Sequence, residues 1–348
     1  MKAALFYGVR DIRVEDIPVP EIGEGDILIR VHAAAICGTD MRIYNYGHFK
    51  IKEGDRRVLS HENAGEIVKI GAKVEGFAVG ERVSTIPNIG CGTCSHCRRG
   101  LNQLCADYEA FGISIDGGFA EYMKIPEKAI RQGNVVKVPE SLSYEEAVLV
   151  EPLSCCYNSW RALGTKPGDT VLVIGAGPIG ACHVMMNRLA GASKVIVADI
   201  STPRLEKIKA FGADVIVNSA EQDLEAEVMR LTGGEGADVV ITACSVPAIQ
   251  QQALRLAAVE GRINLFGGMP KGKEEVTLNT NLIHYKQLKV LGTTGSTIRD
   301  YNDSMKLAAS GRLNLKGLVS ETFRIEEIAD AFAYAASGEG MKTFVSNG

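Results

Sequence analysis

Residues 170–199 read TVLVIGAGPIGACHVMMNRLAGASKVIVAD, and few folds accommodate such a stretch. Val171, Leu172, Val173 and Ile174 form a short, largely β-branched apolar run, the pattern of a strand buried on both faces of a parallel sheet. Gly175, Gly177 and Gly180 follow at G-x-G-x-x-G spacing. The first glycine permits a tight turn, the second lets backbone approach a pyrophosphate, and the third lets the next helix pack close. Pro178 and Ile179 open that helix, expected over residues 178–190, and its unsatisfied N–H groups point at the phosphates. A second strand, residues 195–198, ends in Asp199, 19 residues after Gly180. A carboxylate there accepts both ribose hydroxyls of an adenosine and repels a 2′-phosphate, which favours NAD over NADP. Glycine triplets alone also occur in turns that bind nothing. Strand, glycines, helix, strand and acid in this order make a dinucleotide site.

Strand and helix then alternate. A helix is expected over 203–211, with Thr202 as its cap and Pro203 at its first position. Strands follow at 215–217, 238–242, 262–266 and 288–291, with helices at 224–231 and 249–258. This is the pattern of a doubly wound parallel sheet, whose ligands lie at the carboxyl ends of the strands. Those ends read Ala243-Cys244-Ser245, Phe266-Gly267-Gly268 and Gly292-Thr293-Thr294. Their small residues let a nicotinamide ring lie against backbone, so Ala243, Phe266, Gly267 and Thr293 are expected cofactor contacts. Arg204 is placed beside the adenosine ribose, a solvated helix charge being its plainer role. From about residue 295 the pattern changes to helices at 300–309 and 325–337.

A chain of 348 residues is long for one core, so two domains are expected. The net charge of −4 with no basic block argues against a nucleic-acid partner. No apolar run approaches the roughly 18 residues of a membrane span. The apolar run after Lys2 is too short for a signal-peptide core. A cytoplasmic protein is therefore expected. Nine cysteines suit that compartment if most are metal thiolates.

The segment up to about residue 151 reads as β-rich, with strands at 2–6, 12–16, 26–31, 64–70, 82–86, 119–125 and 135–138. Cys91, Cys94, Cys97 and Cys105 are separated by two, two and seven residues. Four thiolates so spaced satisfy a closed, tetrahedral structural zinc site. Disulfides and an iron–sulfur cluster are the competing readings. His96 lies inside this loop and is expected to face solvent. A second group is Cys37, where a strand runs into a helix, with His61-Glu62 and Glu151 further on. Thiolate, imidazole and carboxylate are suitable ligands for a catalytic zinc, which uses three protein groups and keeps one position exchangeable. Spacing alone does not show that these residues converge. Asp40 reads as an N-cap. Cys155, Cys156, Cys182 and Cys244 have no ligand spacing and read as core residues.

With these features in order from Met1 to Lys342-Thr343-Phe344, the chain resembles the zinc-dependent medium-chain dehydrogenases. Residues 145–154, EEAVLVEPLS, are similar to the sorbitol or polyol dehydrogenase branch, and residues 37–44, CGTDMRIY, to threonine dehydrogenase. The resemblance implies a GroES-like catalytic domain, residues 1–153 and 296–348, interrupted by a Rossmann NAD-binding domain, residues 154–295. It implies a catalytic zinc on Cys37, His61 and Glu62, with Glu151 as a direct or water-bridged ligand. Thr39 would relay the proton of the substrate hydroxyl, Lys342 would approach the cofactor phosphates, and the protein would be a homodimer or homotetramer. Three departures stand out: Ser60 replaces the glycine that precedes the zinc histidine, Arg42 replaces a relay histidine, and Cys155-Cys156-Tyr157-Asn158 leaves the polyol pattern.

The activity implied is transfer of a hydride from a secondary alcohol, polyol or sugar-like, to NAD, giving a ketone. Zinc would act as a Lewis acid on the hydroxyl. An amino alcohol such as threonine is the alternative substrate. A non-catalytic nucleotide-binding sensor is the alternative of another class, and intact Cys37, Thr39, His61 and Glu62 count against it. One thiolate and two carboxylates bring three negative charges, against two for a shell of two thiolates and a histidine. The resulting weaker electrophile suits substrates with a second contact group, such as vicinal diols.

Overall fold

The computed structural model of the chain describes residues 1–346. The chain divides into two compact units, one formed by Met1–Glu151 with Ser296 onward, the other by Pro152–Gly295. The first boundary falls two residues before the expected 153/154.

The first unit begins with strands β1 (Lys2–Gly8), β2 (Asp11–Asp16) and β3 (Ile27–Ala35), helix α1 (Gly38–Tyr46), and strands β4 (Arg57–Val58), β5 (Glu62–Ile70) and β6 (Arg82–Thr85). It continues through β7 (Asn88–Ile89), α2 (Ser95–Arg98), β8 (Glu109–Ala110), β9 (Tyr122–Ile125), α3 (Glu127–Gln132), β10 (Val135–Lys137) and α4 (Tyr144–Val148). Helix α5 (Val150–Leu163) carries the chain into the second unit.

There strands β11 (Thr170–Ile174), β12 (Lys194–Asp199), β13 (Val215–Asn218), β14 (Ala237–Thr242), β15 (Ala257–Asn264) and β16 (Lys289–Leu291) alternate with helices. The helices are α6 (Pro178–Leu189), α7 (Thr202–Ile208), α8 (Leu224–Leu231), α9 (Pro247–Leu256) and α10 (Thr280–Tyr285). The chain then returns to the first unit with α11 (Ile298–Ala309), β17 (Val319–Arg324), α12 (Ile328–Ser337) and β18 (Lys342–Ser346).

The main sheet of the first unit has the order β10-β6-β5-β3-β18-β17, with β9 also on β3. β3 reads ILIRVHAAA and is nearly all buried because neighbours flank it on both edges. The charged β2, DIRVED, sits at the edge of a three-stranded sheet, where charge discourages further pairing. Registration of β3 against β5 places Ala35 opposite Glu62, and β18 adds Phe344 opposite Ala35. Cys37 lies two residues past Ala35, His61 just before Glu62, and Lys342 two residues before Phe344. Three adjacent strand ends therefore bring residues from distant parts of the chain to one place.

The sheet of the second unit is wholly parallel, ordered β13-β12-β11-β14-β15-β16, with the switch in direction of winding at β11. Both faces are apolar, with Leu172, Ile174, Ile196, Val240 and Ile263 packed on one and the fully buried Val171, Val173, Val195, Val239 and Ile241 on the other.

Several expected boundaries shift. α7 starts at Thr202 with Ser201 as its N-cap, so Pro203 occupies the second position, which still needs no N–H partner. α9 spans Pro247–Leu256, and Ala257 and Ala258 belong to β15, where Ala257 pairs with Ala237. Alanine fits a helical pattern well, and the strand pairing overrode it. α5 was not foreseen. Pro152 lies in its first turn, the one place in a helix where proline is tolerated. No helix among the described residues is long and apolar enough to cross a membrane.

Candidate metal centres and dinucleotide site

The sulfurs of Cys91, Cys94, Cys97 and Cys105 all lie within 4.8 Å of one another. Cys94 Sγ is 3.8 Å from Cys105 Sγ, and none of the four cysteines is joined in a disulfide, so the disulfide reading falls. Backbone N–H groups face the sulfurs: Cys94 N–H donates to Cys91 Sγ at 3.3 Å, Cys97 N–H to Cys94 Sγ at 3.5 Å, and Cys91 N–H to Cys105 Sγ at 3.3 Å. Such donors stabilise thiolates. Hydrogen bonds from Thr93 and Cys94 pull the Cys91 thiol down to about 6. Burial, with the other sulfurs adding to it, pushes Cys97 up to about 12. Gly90 is required here, because a Cβ on it would stand 2.5 Å from Cys97 Sγ. Gln132 of α3 ties the lobe to its unit, donating to Gly90 O at 2.7 Å and accepting from Asn102 Nδ2 at 3.1 Å. His96 is exposed, as expected.

The donor atoms of Cys37, His61 and Glu62 form a second group, again all within 4.8 Å of one another. His61 and Glu62 are buried, and His61 Nδ1 has no hydrogen-bond partner among the described residues. Unpartnered buried polar atoms are costly, and a metal ion facing these S, N and O donors removes that cost. The residues fit a zinc site with an exchangeable position. Glu151, also buried, lies outside the group of three but acts electrostatically on His61 and Lys342. Burial works against a charged His61, but Cys37, Asp40 and Glu151 outweigh it and hold its pKa well above the usual value.

Asp40 does not occupy the N-cap of α1. Cys37 does, and Asp40, fully buried in the first turn, caps from the third helical position. Its Oδ2 accepts from Cys37 N–H at 2.8 Å and its Oδ1 from Ser60 N–H at 3.1 Å. One carboxylate thus joins the segments that carry Cys37 and His61. Thr39 is half-buried in the first turn of the same helix, and Arg42 is exposed.

In the second unit each glycine of the loop has its own steric setting. Gly175 has φ +120, and a Cβ on Gly180 would meet Gly175 O at 1.9 Å, so only glycine lets α6 pack there. A Cβ on Gly177 meets nothing within 4 Å, which leaves open space at the start of α6 for a pyrophosphate. Pro178 and Ile179 form the first turn of α6. Asp199 ends β12 with both oxygens oriented, Oδ2 accepting from Ala176 N–H at 2.7 Å and Oδ1 from Ser201 N–H at 2.9 Å. Arg204 is half-buried on α7. Ala243, Phe266 and Thr293 follow the ends of β14, β15 and β16, and Thr293 Oγ1 accepts from the buried Asn264 at 2.9 Å. Gly267 packs too closely on Cys244 for any side chain, a Cβ falling 2.3 Å from Cys244 O. Cys156 and Cys182 are core residues, whereas Cys155 and Cys244 are only half-buried.

The chain matches the model of the alcohol dehydrogenase GroES-like domain over residues 23–140 and that of the zinc-binding dehydrogenase over residues 178–310. It is 35% identical over 337 residues to sorbitol dehydrogenase of Bacillus subtilis, covering 96% of this chain and 93% of that one. To L-threonine 3-dehydrogenase of Pyrococcus abyssi it is 37% identical over 347 residues, covering 98% and 96%. The chain is a zinc-dependent medium-chain dehydrogenase. A solved structure described as a zinc-binding dehydrogenase, from Sinorhizobium meliloti and bound to NADP, superposes with a TM-score of 0.90 at 31% identity, covering 99% of this chain and 98% of that one.

The structure places one residue of this dehydrogenase where sequence did not. Lys342, expected at the cofactor phosphates, is 5% exposed, with Nζ 2.6 Å from both carboxylate oxygens of Glu62 and hydrogen-bonded to Oε1. Burial disfavours the ammonium, but Glu62, Cys37 and Glu151 outweigh it and hold the lysine protonated. The three negative charges counted from sequence therefore fall to two. The charge-count argument for a weak electrophile loses its force.

Proposed function

We propose that this dehydrogenase oxidises a secondary alcohol of a polyol or sugar-like substrate to the ketone, with NAD as acceptor. The observation that carries the reading is the convergence of Cys37, His61 and Glu62 with Glu151 buried beside them. Zinc held by the three donors supplies Lewis acidity toward the alcohol oxygen, and NAD supplies the hydride acceptor. Thr39, two residues beyond Cys37 on α1, relays the hydroxyl proton, accepting it as its own hydroxyl proton passes on to water. Glu151 offers an acceptor for a neighbouring hydroxyl, which a vicinal diol has and ethanol lacks. Lys342 holds the Glu62 carboxylate in place through their ion pair. Asp199 supports NAD, because its oriented carboxylate meets a 2′-phosphate with a repulsion of about 1 kcal/mol or more. An ammonium would suit Glu151 equally, and the 37% identity to a threonine dehydrogenase favours that second reading.

Coupled assays test the proposal. Sorbitol or xylitol with NAD should yield one NADH per ketose, and His61→Ala should abolish turnover while nucleotide binding by the second unit persists. If fully zinc-loaded protein turned over no secondary alcohol, the nucleotide-sensor reading would take its place.

A further inference from the structure

Ser60 precedes His61, and its backbone stands at φ +71. Arg10, Glu260 and Gln287 also have positive φ but are exposed, whereas Ser60 is fully buried. In the left-handed region the side chain crowds its own backbone, so surrounding contacts must over-determine the conformation. Those contacts are present. Ser60 N–H donates to Asp40 Oδ1 at 3.1 Å, and its carbonyl accepts from Gly118 N–H at 2.9 Å. The hydroxyl lies 3.0 Å from Glu62 O and 3.2 Å from Ala35 O and has one proton to share between them. Ala35 and Glu62 are the paired residues that begin the β3–β5 ladder. The neighbouring loop leaves no slack, since a Cβ on Gly117 would stand 2.0 Å from Ser60 O and one on Gly112 2.6 Å from Ser60 C. A residue that relaxed to negative φ would turn the following peptide and carry His61 and Glu62 away from Cys37.

We propose that Ser60 is a positioning residue for the catalytic metal: its hydroxyl holds the strained peptide that aims His61 and Glu62 at Cys37. The inference rests on the reading that these three residues hold zinc. It accounts for a serine where glycine is usual, because the hydroxyl offsets what its own Cβ costs.

Ser60→Ala keeps the strain and loses the hydroxyl, while Ser60→Gly loses both. Zinc release to a chromogenic chelator separates them, with the four-cysteine zinc as internal reference. The labile zinc should leave Ser60→Ala about tenfold faster than wild type or more, and Ser60→Gly only a few-fold faster. After cobalt exchange the visible spectrum of Ser60→Ala should shift, and that of Ser60→Gly should stay near wild type. Equal release from wild type and Ser60→Ala, or Ser60→Ala no worse than Ser60→Gly, would overturn the proposal. Should Ser60→Ala fail to fold, Ser60→Cys takes its place, since the thiol keeps the Cβ and its strain but donates weakly, and zinc release at the wild-type rate would show the hydroxyl idle. Wild-type protein that binds a single zinc would instead overturn the metal reading itself.

Discussion

Lys342 Nζ lies 2.6 Å from both carboxylate oxygens of Glu62, across 280 residues of sequence. Both side chains are withdrawn from water, so neither charge is tolerable without the other. Lys342→Met should destabilise zinc-free protein by about 3–5 kcal/mol, the usual cost of leaving one member of a buried pair alone. Adding Glu62→Gln should return much of that. Denaturant unfolding of the two chelator-treated variants checks both statements. A loss below about 1 kcal/mol for Lys342→Met would mean that the pair does not hold the strand ends together.

The four-cysteine site should carry structure and not chemistry. Cys94→Ser should lower bound zinc from about two per chain to about one and reduce thermal stability or soluble yield. The labile zinc and the chemical step in surviving protein should be unchanged. A variant of normal stability with its full metal complement would contradict the assignment.

Cofactor choice should turn on Asp199. Wild type should prefer NAD, and Asp199→Ser should narrow the ratio of NAD to NADP efficiency by about fivefold or more. Both KM values should also rise, because Asp199 anchors Ala176 N–H and Ser201 N–H. Equal wild-type efficiency with NADP would contradict this reading.

The parts of the molecule most legible in sequence were those specified locally. The glycine loop, the strand that ends at Asp199 and the four-cysteine lobe each lie within about 30 residues, and their chemistry sets their spacing. Convergence of Cys37, His61 and Glu62 depends instead on the register of β3 against β5, which no spacing displays. Lys342 belongs to β18, a strand absent from the sequence reading, and its pairing with Glu62 has no local signal at all. The one available sign of strain was Ser60 itself, a serine where the family pattern has glycine, and its sense became clear only from its φ.

Acid should loosen the second unit through His183. This residue of α6 is fully buried, packs edge-on against Phe266 at 4.7 Å, and has no hydrogen-bond partner for either ring nitrogen among the described residues. Burial pushes it down to about 3 from an ordinary 6.5, so the unfolded chain binds the proton first. The stability of the neutral form is intact above pH 6.5. As pH falls toward 3 it is lost at up to about 1.4 kcal/mol per unit. Unfolding in urea at a series of pH values should show a shallower acid slope for His183→Leu than for wild type. Identical slopes would contradict the prediction.

Substrate choice tests the account most directly, since it draws together Thr39, the three metal donors and Glu151. Steady-state kcat/KM with NAD should be compared for sorbitol, xylitol, an inositol, threonine and ethanol on one zinc-loaded preparation. The account predicts that a secondary polyol is turned over far better than ethanol and that threonine is poor. Threonine as the clear winner would replace the diol with an amino alcohol at Glu151, and ethanol as the winner would contradict the role given to that carboxylate altogether.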